Sequence, residues 1–414
     1  MTDINVIDRP CGFGKSTELI AEIKKHRIAN PSAKILLVVP ELGEVERFIN
    51  AIGSDWVTAP VADESENKTD AFIGLLRSGN NVVTTHALYK RIRLFQHLLS
   101  DYHVIIDEVP TVAEDVSSNL GSGVFKQLLH NQKYITIDPV TKLISATGNW
   151  DVFKEDFSTG IGKQIQKFMR FVCEADVYYV NDTFQVLPLP DVFFTKPRSL
   201  TILTFLFKGT QLYYYMIKCG YKHTHQHCNN ELIQFKYQLN KNLLTCKKFA
   251  KGKFGYTAMS SSNPNNREIA GNYIKNLFQS LRKIGMDIPP ESILVASHKD
   301  AWFGKEENKN SAVSNKSSLK KLTRLKNATY TAMVTRGTNK FRHLDVLLLL
   351  GKLNINPKLA EFLGMGTKES QRHHALSELI QLIYRTAIRD GKEVFLISAD
   401  EENIKMLHEF IISK

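Results

Sequence analysis

Apolar positions along the chain fall into short continuous runs separated by amphipathic stretches, the alternation expected of parallel strands linked by helices. Residues 4–8 (Ile4, Asn5, Val6, Ile7, Asp8) read as a strand, followed by a glycine-bearing turn and a helix to about His26. Ala33 to Val39 is a β-branched apolar run, Gly43 to Ile52 a second helix, and Asn81 to His86 a short strand ending in hydroxyls and an imidazole. Tyr102 to Ile106 runs straight into Asp107 and Glu108. Strands that are apolar at successive positions are covered on both faces, so these segments predict the buried parallel sheet of an α/β fold.

Between Ser117 and Pro197 the periodicity changes. Residues 133–147 alternate and turn at Asp138-Pro139, and residues 176–186 alternate again, which predicts two hairpins with a helix over Ile161 to Cys173 between them. The stretch of about 117–197 therefore reads as a hairpin-rich insertion, after which the parallel sheet resumes at Ser199 to Phe205. Farther on, Glu268 to Ile284 has helical spacing and is stopped by Gly285 and Pro289-Pro290. Ser292 to Ser297, Leu344 to Leu350 and Glu393 to Ser398 read as strands, Leu376 to Gly391 and Glu401 to Ile412 as helices, and Phe303 to Asn327 as a mobile basic loop. A chain of 414 residues exceeds what one hydrophobic core supports. Two domains are expected, over 1–228 and 229–414.

Composition narrows the class. The net charge of +12 suits a polyanionic partner, with nucleic acid the leading candidate. Five scattered cysteines argue against a disulfide framework and for a reducing compartment, and no apolar run approaches the 18 residues of a membrane span. The N-terminal residues carry no basic or apolar targeting segment, so a cytoplasmic protein without a membrane partner is expected.

The turn after the first strand reads Arg9-Pro10-Cys11-Gly12-Phe13-Gly14-Lys15-Ser16-Thr17. Gly12 and Gly14 let backbone N–H groups converge on phosphate oxygens, Lys15 brings a point charge to the β/γ-phosphates, and the Ser16 hydroxyl suits Mg²⁺. Arg9 stands where the full phosphate-loop pattern has its first glycine. Asp107 and Glu108 close a buried strand at its C-terminal end, where ligand crevices of parallel sheets lie. Asp107 there would hold Mg²⁺, usually through water, and Glu108 would polarise the water that attacks the γ-phosphate.

With both motifs placed, the chain resembles the superfamily 2 helicases, most closely the DEAD/DEAH-like type of phages and mobile elements. The resemblance implies two tandem RecA-like domains with parallel sheets, and ATP with Mg²⁺ as substrate and cofactor. It implies nucleotide contacts from Gly12, Phe13, Gly14, Lys15, Ser16, Thr17 and Gly337. Val39-Pro40-Glu41 resembles motif Ia and Thr84-Thr85-His86 motif Ib, so Pro40, Thr84, Thr85 and His86 would touch a nucleic-acid backbone. Motif III has two candidates, Ser145-Ala146-Thr147 on a hairpin and Thr204 on the central sheet, and Thr204 is preferred. Ser292 to Lys299 resembles motif IV and Thr331 to Lys340 motif V, which implies strand contacts from Thr338 and Asn339. Gln381, Tyr384, Arg385 and Arg389 resemble motif VI. Tyr384 replaces its glycine, and the arginines lie four apart, a spacing that puts both on one helical face. Arginine suits that role because its always-charged fork matches transferring phosphoryl oxygens.

The resemblance implies an ATP-dependent helicase or translocase acting on nucleic acid, with DNA favoured over RNA, in phage or mobile-element replication or recombination. Replication proteins are expected partners and a monomer is a workable state. Only eight residues precede the loop, which leaves no upstream adenine-reading segment, so other NTPs are expected to be accepted. An origin-binding protein with a remodelling ATPase, or a DNA-packaging motor, would share the same core. Cys219, His223, His225, His227 and Cys228 are close enough to suggest zinc, but no Cys-x2-Cys half accompanies them, and the segment reads as a polar loop between domains.

Overall fold

The computed structural model describes residues 2–413 apart from 63–66, 117–133, 149–161, 181–182, 188, 190, 247–254, 256–263, 299–322, 324, 326 and 335–339. The protein is α/β, with two parallel sheets and one antiparallel sheet, the arrangement of tandem RecA-like or Rossmann-like domains. Contacts divide it into two compact units. The first comprises Met1–Asp8, Gly14–His227 and Ile355–Gln371, and the second Arg9–Phe13, Cys228–Asn354 and Arg372–Lys414.

In the first unit the strands are β1 (Asp3–Asp8), β2 (Lys34–Val39), β3 (Val57–Thr58), β4 (Asn81–Thr85), β5 (Tyr102–Asp107), β6 (Glu114–Asp115), β7 (Ile135–Ile137), β8 (Leu143–Ala146), β9 (Asp176–Val180), β10 (Thr183–Leu187), β11 (Ser199–Thr204) and β12 (Thr224–His227). The main sheet runs β12-β1-β11-β5-β2-β4-β3, parallel throughout. Successive strand residues bury on opposite faces. Val6, Leu36, Val38, Val104, Ile106 and Ile202 enter one core, while Ile35, Leu37, Val39, Ile105 and Leu203 enter another with Leu19 and Ile23 of the helix Lys15–Ala29 and Phe48 of the helix Leu42–Ile52. Two-sided burial is why these strands read as unbroken apolar runs.

The second sheet, β6-β10-β9-β8-β7, is antiparallel, and both predicted hairpins lie in it, β7 with β8 and β9 with β10. The amphipathic helix Gly162–Glu174 covers it through Phe168, Met169 and Val172 against Ile135, Ile144 and Val177. The segment Ile355–Gln371, which follows a strand of the second unit in sequence, packs with the first: Leu359, Phe362, Leu363 and Met365 are buried in its core. Lys218 Nζ holds this segment twice, donating to the Phe362 carbonyl at 2.5 Å and lying 3.6 Å from the centre of the Phe362 ring.

The second unit contains β13 (Leu243–Cys246), β14 (Ile293–Ser297), β15 (Thr329–Ala332), β16 (Val346–Leu350) and β17 (Val394–Ser398), in the parallel order β13-β17-β16-β14-β15. Ala270, Ile274, Phe278 and Leu281 of the helix Pro264–Lys283 pack on Ile293, Val295, Leu348 and Ile397.

Two expectations are corrected here. The Cys219–Cys228 region is not a loop: Thr224–His227 forms the edge strand β12, in register with Asn5–Asp8 of β1. A polar strand is tolerated there because one side of its ladder is an open edge. Arg385 and Arg389 do not share a helical face. The helix Lys368–Ile383 ends before both, because the Thr386 hydroxyl donates to the Ile383 carbonyl at 2.6 Å and the Ala387 amide to the Leu344 carbonyl at 2.9 Å. Thr386 is extended (φ −86°, ψ −173°), and Arg389 falls in a separate 3₁₀ turn, Ala387–Asp390.

Candidate nucleotide site

The C-terminal edge of the main sheet brings several predicted residues to neighbouring strand ends. Asp8 is in register with Thr204, and Leu203 with Asp107, so the roots of the glycine turn, the Thr204 segment and the Asp-Glu pair lie side by side in the order β1, β11, β5. Ser145 lies instead in β8 of the antiparallel sheet. Thr204 thus ends a central strand of the main sheet, whereas Ser145 does not belong to that sheet. Thr204 itself is buried, so it offers little surface to a bound polymer.

Gly12 and Gly14 both adopt left-handed backbone (φ +84° and +76°), the conformation for which glycine is the default residue. Gly14 caps the helix Lys15–Ala29, so the positive end of that helix's dipole lies at Lys15. Within the first unit, Ser16 Oγ donates to Asp107 Oδ2 at 3.1 Å, tying the helix start to the end of β5. Lys15 Nζ lies 6.0 Å from the centre of the Phe205 ring. Phe205 is held in turn by a turn that sequence reading missed: Leu206 is left-handed (φ 54°), and the Phe207 amide donates to Asp8 Oδ2 at 2.9 Å. His225 Nε2 lies 3.1 Å from the same oxygen. Asp8 gives little sequence signal, since an acid at a strand end normally reads as a solvated loop residue.

The two carboxylates sit in different surroundings. Burial, and then the charge of Glu108, push Asp107 up from 3.8 to about 6, while the Ser16 hydrogen bond and the Lys15 charge pull it back. Glu108 has φ +60°, and its Oε2 is buried with no hydrogen-bond partner among the described residues. A side chain held in left-handed backbone with an unsatisfied carboxylate oxygen is costly, of the order of 1–3 kcal/mol for each feature, and such strain collects at functional sites. The Ser16 hydroxyl and the Asp107 carboxylate form an all-oxygen donor pair of the kind Mg²⁺ prefers, and the orphaned Glu108 oxygen is an acceptor for water.

Thr17 is exposed in the first turn of its helix, and Pro40 is half-buried just beyond β2. Thr84 is 1% exposed with its hydroxyl enclosed, so it offers no surface to a polymer. The Thr85 hydroxyl accepts from the Leu88 amide at 3.3 Å, capping the short helix His86–Tyr89, and His86 Nε2 lies 3.0 Å from the Asp107 carbonyl oxygen. In the second unit, Arg385 is buried, Arg389 is exposed, and Gln381 Nε2 donates to Ser377 Oγ at 3.2 Å. Gly337, Thr338, Asn339 and most of the basic loop at 303–327 lie outside the described residues. Among the described residues no group of three or more His, Cys, Asp or Glu side chains could hold a metal, and no helix is long and apolar enough to cross a membrane.

Residues 226–411 match the family model of the YonV C-terminal Rossmann-like domain. Over its length the chain is 23% identical to the SPbeta prophage-derived uncharacterized protein YonV of Bacillus subtilis (strain 168), with 99% of each chain covered. Among solved structures, Xpd4 of S. tokodaii aligns with 100% of this chain and 95% of its own, at 13% identity and a TM-score of 0.47. A variant of S. cerevisiae Dbp5 bound to RNA and ADP BeF3 aligns with 99% of this chain and 82% of its own, at 12% identity and a TM-score of 0.38. None of these likenesses gives a residue its role.

Proposed function

We propose that the chain is a nucleoside-triphosphate hydrolase that couples ATP·Mg²⁺ turnover to movement along nucleic acid, a helicase or translocase. One observation carries the reading: Ser16 Oγ bonded to Asp107 Oδ2, beside Lys15 and the strained, unsatisfied Glu108, at the start of a helix entered through two left-handed glycines. That arrangement supplies a phosphate cradle, a cation site and a water acceptor from adjoining strand ends.

The backbone N–H groups at the start of the helix and the Lys15 ammonium would bind and orient the phosphates. Ser16 and Asp107 would hold Mg²⁺, which when bound neutralises charge on the phosphoryl oxygens. Glu108 Oε2 would accept a hydrogen bond from the attacking water and orient it. By their resemblance to motif VI, Arg385 and Arg389 are the candidate guanidinium groups, with Gln381 a further polar candidate. The net charge of +12 supports a sequence-tolerant, salt-sensitive grip on a polyanion. DNA and a phage or mobile-element setting are favoured, in keeping with the prophage origin of the relative at 23% identity.

Phosphate release is measured with and without single-stranded DNA, followed by strand displacement on DNA, RNA and hybrid duplexes carrying 3′ or 5′ tails. Lys15→Ala is expected to remove polymer-stimulated hydrolysis. A Lys15→Ala protein that keeps it overturns the reading.

A further inference from the structure

Two residues depart from the helicase pattern, Arg9 in place of the first loop glycine and Tyr384 in place of the motif VI glycine, and both belong to the second unit. There they converge on one helix, Asn229–Asn242. Arg9 Nε and Nη2 donate to the two carboxylate oxygens of Glu231, at 2.8 and 2.5 Å, a fork-to-fork pair with each side chain about a fifth exposed. Arg9 Nη2 also reaches the Phe13 carbonyl at 3.4 Å, so one guanidinium spans the loop from its first residue to its last. One helical turn beyond Glu231, the fully buried Phe235 stacks on Tyr384 (centroids 4.7 Å, planes 24°) and meets Phe13 at 6.3 Å. Tyr384 in turn lies over Gly12, close enough that a Cβ there would come within 3.3 Å of its ring.

We propose that Arg9, Glu231, Phe235 and Tyr384 form a positioning clamp that holds the loop Arg9–Phe13 in its phosphate-binding shape, making nucleotide affinity depend on the helix Asn229–Asn242. The inference rests on the proposed nucleotide site and adds to it. A glycine at position 9 would leave that loop free to move, and the bidentate pair replaces this freedom with a fixed geometry. The Tyr384 ring closes the space above Gly12, whose left-handed backbone (φ +84°) glycine adopts without penalty. Preorganisation of this kind acts on binding, so its loss falls on nucleotide affinity more than on the chemical step.

The test uses the full chain and ATP, with KM and kcat for hydrolysis, direct binding of a fluorescent ATP analogue, and thermal melting of each variant. Glu231→Gln, which loses a charge-assisted pair, and Tyr384→Gly, which loses the ring over Gly12, are each expected to raise KM and the analogue's Kd by about tenfold, with kcat changing less. Tyr384→Phe, which keeps the ring, rescues the Tyr384→Gly defect. In a cycle of Arg9→Gln, Glu231→Gln and the double variant, the double is expected to cost no more than the worse single, because the two act as one unit. Lys15→Ala is the reference: its loss of hydrolysis together with wild-type KM in folded Glu231→Gln and Tyr384→Gly overturns the clamp alone, whereas retained hydrolysis in Lys15→Ala overturns the nucleotide site. If Tyr384→Gly does not fold, the Arg9/Glu231 cycle decides, and additive losses there reject the clamp.

Discussion

Replacing Asp107 with asparagine separates stability from function in one substitution. Asp107 is buried at the end of β5, and its carboxyl is pushed from 3.8 to about 6 by burial first and by Glu108 second. That displacement corresponds to a preference of about 3 kcal/mol for the protonated form in the folded chain. The folded state binds the proton more tightly than the unfolded state does, so stability falls as pH rises from about 4 to 6, and the full penalty is present above 6. Asparagine carries no charge at any pH and still accepts from Ser16 Oγ. Its new N–H₂ group needs a partner, which offsets about 1 kcal/mol. Asp107→Asn is therefore expected to be more stable than wild type by about 2 kcal/mol at pH 7.5 in EDTA, a rise in Tm of roughly 4–8 °C for a domain of this size. The advantage should shrink through pH 6 and vanish near pH 4, while hydrolysis is lost at every pH. Urea or thermal unfolding of both proteins at pH 7.5 and 4.5 measures it. A variant less stable than wild type at pH 7.5, or a difference that ignores pH, refutes the buried-charge account.

Further expectations concern single contacts. Glu108→Gly removes left-handed strain and a buried orphan oxygen, so it should raise stability by about 1–2 kcal/mol in urea unfolding while abolishing phosphate release. Thr210 caps the helix Gln211–Cys219, accepting from the Tyr213 amide at 3.2 Å, and its hydroxyl donates to the Phe207 carbonyl at 2.7 Å; Thr210→Ala should cost about 1–2 kcal/mol. Phe48 is wholly buried in the core that holds Ile35, Leu37 and Val39 of β2, and Phe48→Ala should cost about 3–5 kcal/mol in urea unfolding. If nucleic acid is the partner, its affinity should fall steeply from 50 to 200 mM salt, with a log–log slope that counts the phosphates contacted.

Much of the fold was legible because its parallel strands are buried on both faces. Apolar runs such as Leu36-Leu37-Val38-Val39 and Val346 to Leu350 have no polar alternative register, and both are central strands. The hairpins of the antiparallel sheet were legible for the opposite reason, since alternation and the Asp138-Pro139 turn are local signals. The strand β12 was not legible: Thr-His-Gln-His carries no hydrophobic pattern, and it is a strand because β1 offers an open ladder and Asp8 an acceptor for His225. The end of the helix before Arg385 was equally hidden, because the amide that leaves the helix is taken by Leu344, more than forty residues away.

What the sequence determined alone was chemistry that depends on neighbours along the chain: the two glycines before Lys15 and Ser16, and paired acids ending an apolar strand. Only the tertiary structure decided which distant groups share those residues' surroundings, such as Asp8 against Phe207, the segment Ile355–Gln371 in the first core, and Arg9 on Glu231. Local conformation follows from sterics and hydrogen bonds within a few residues, whereas a partner two hundred residues away is chosen by the packing of the whole chain.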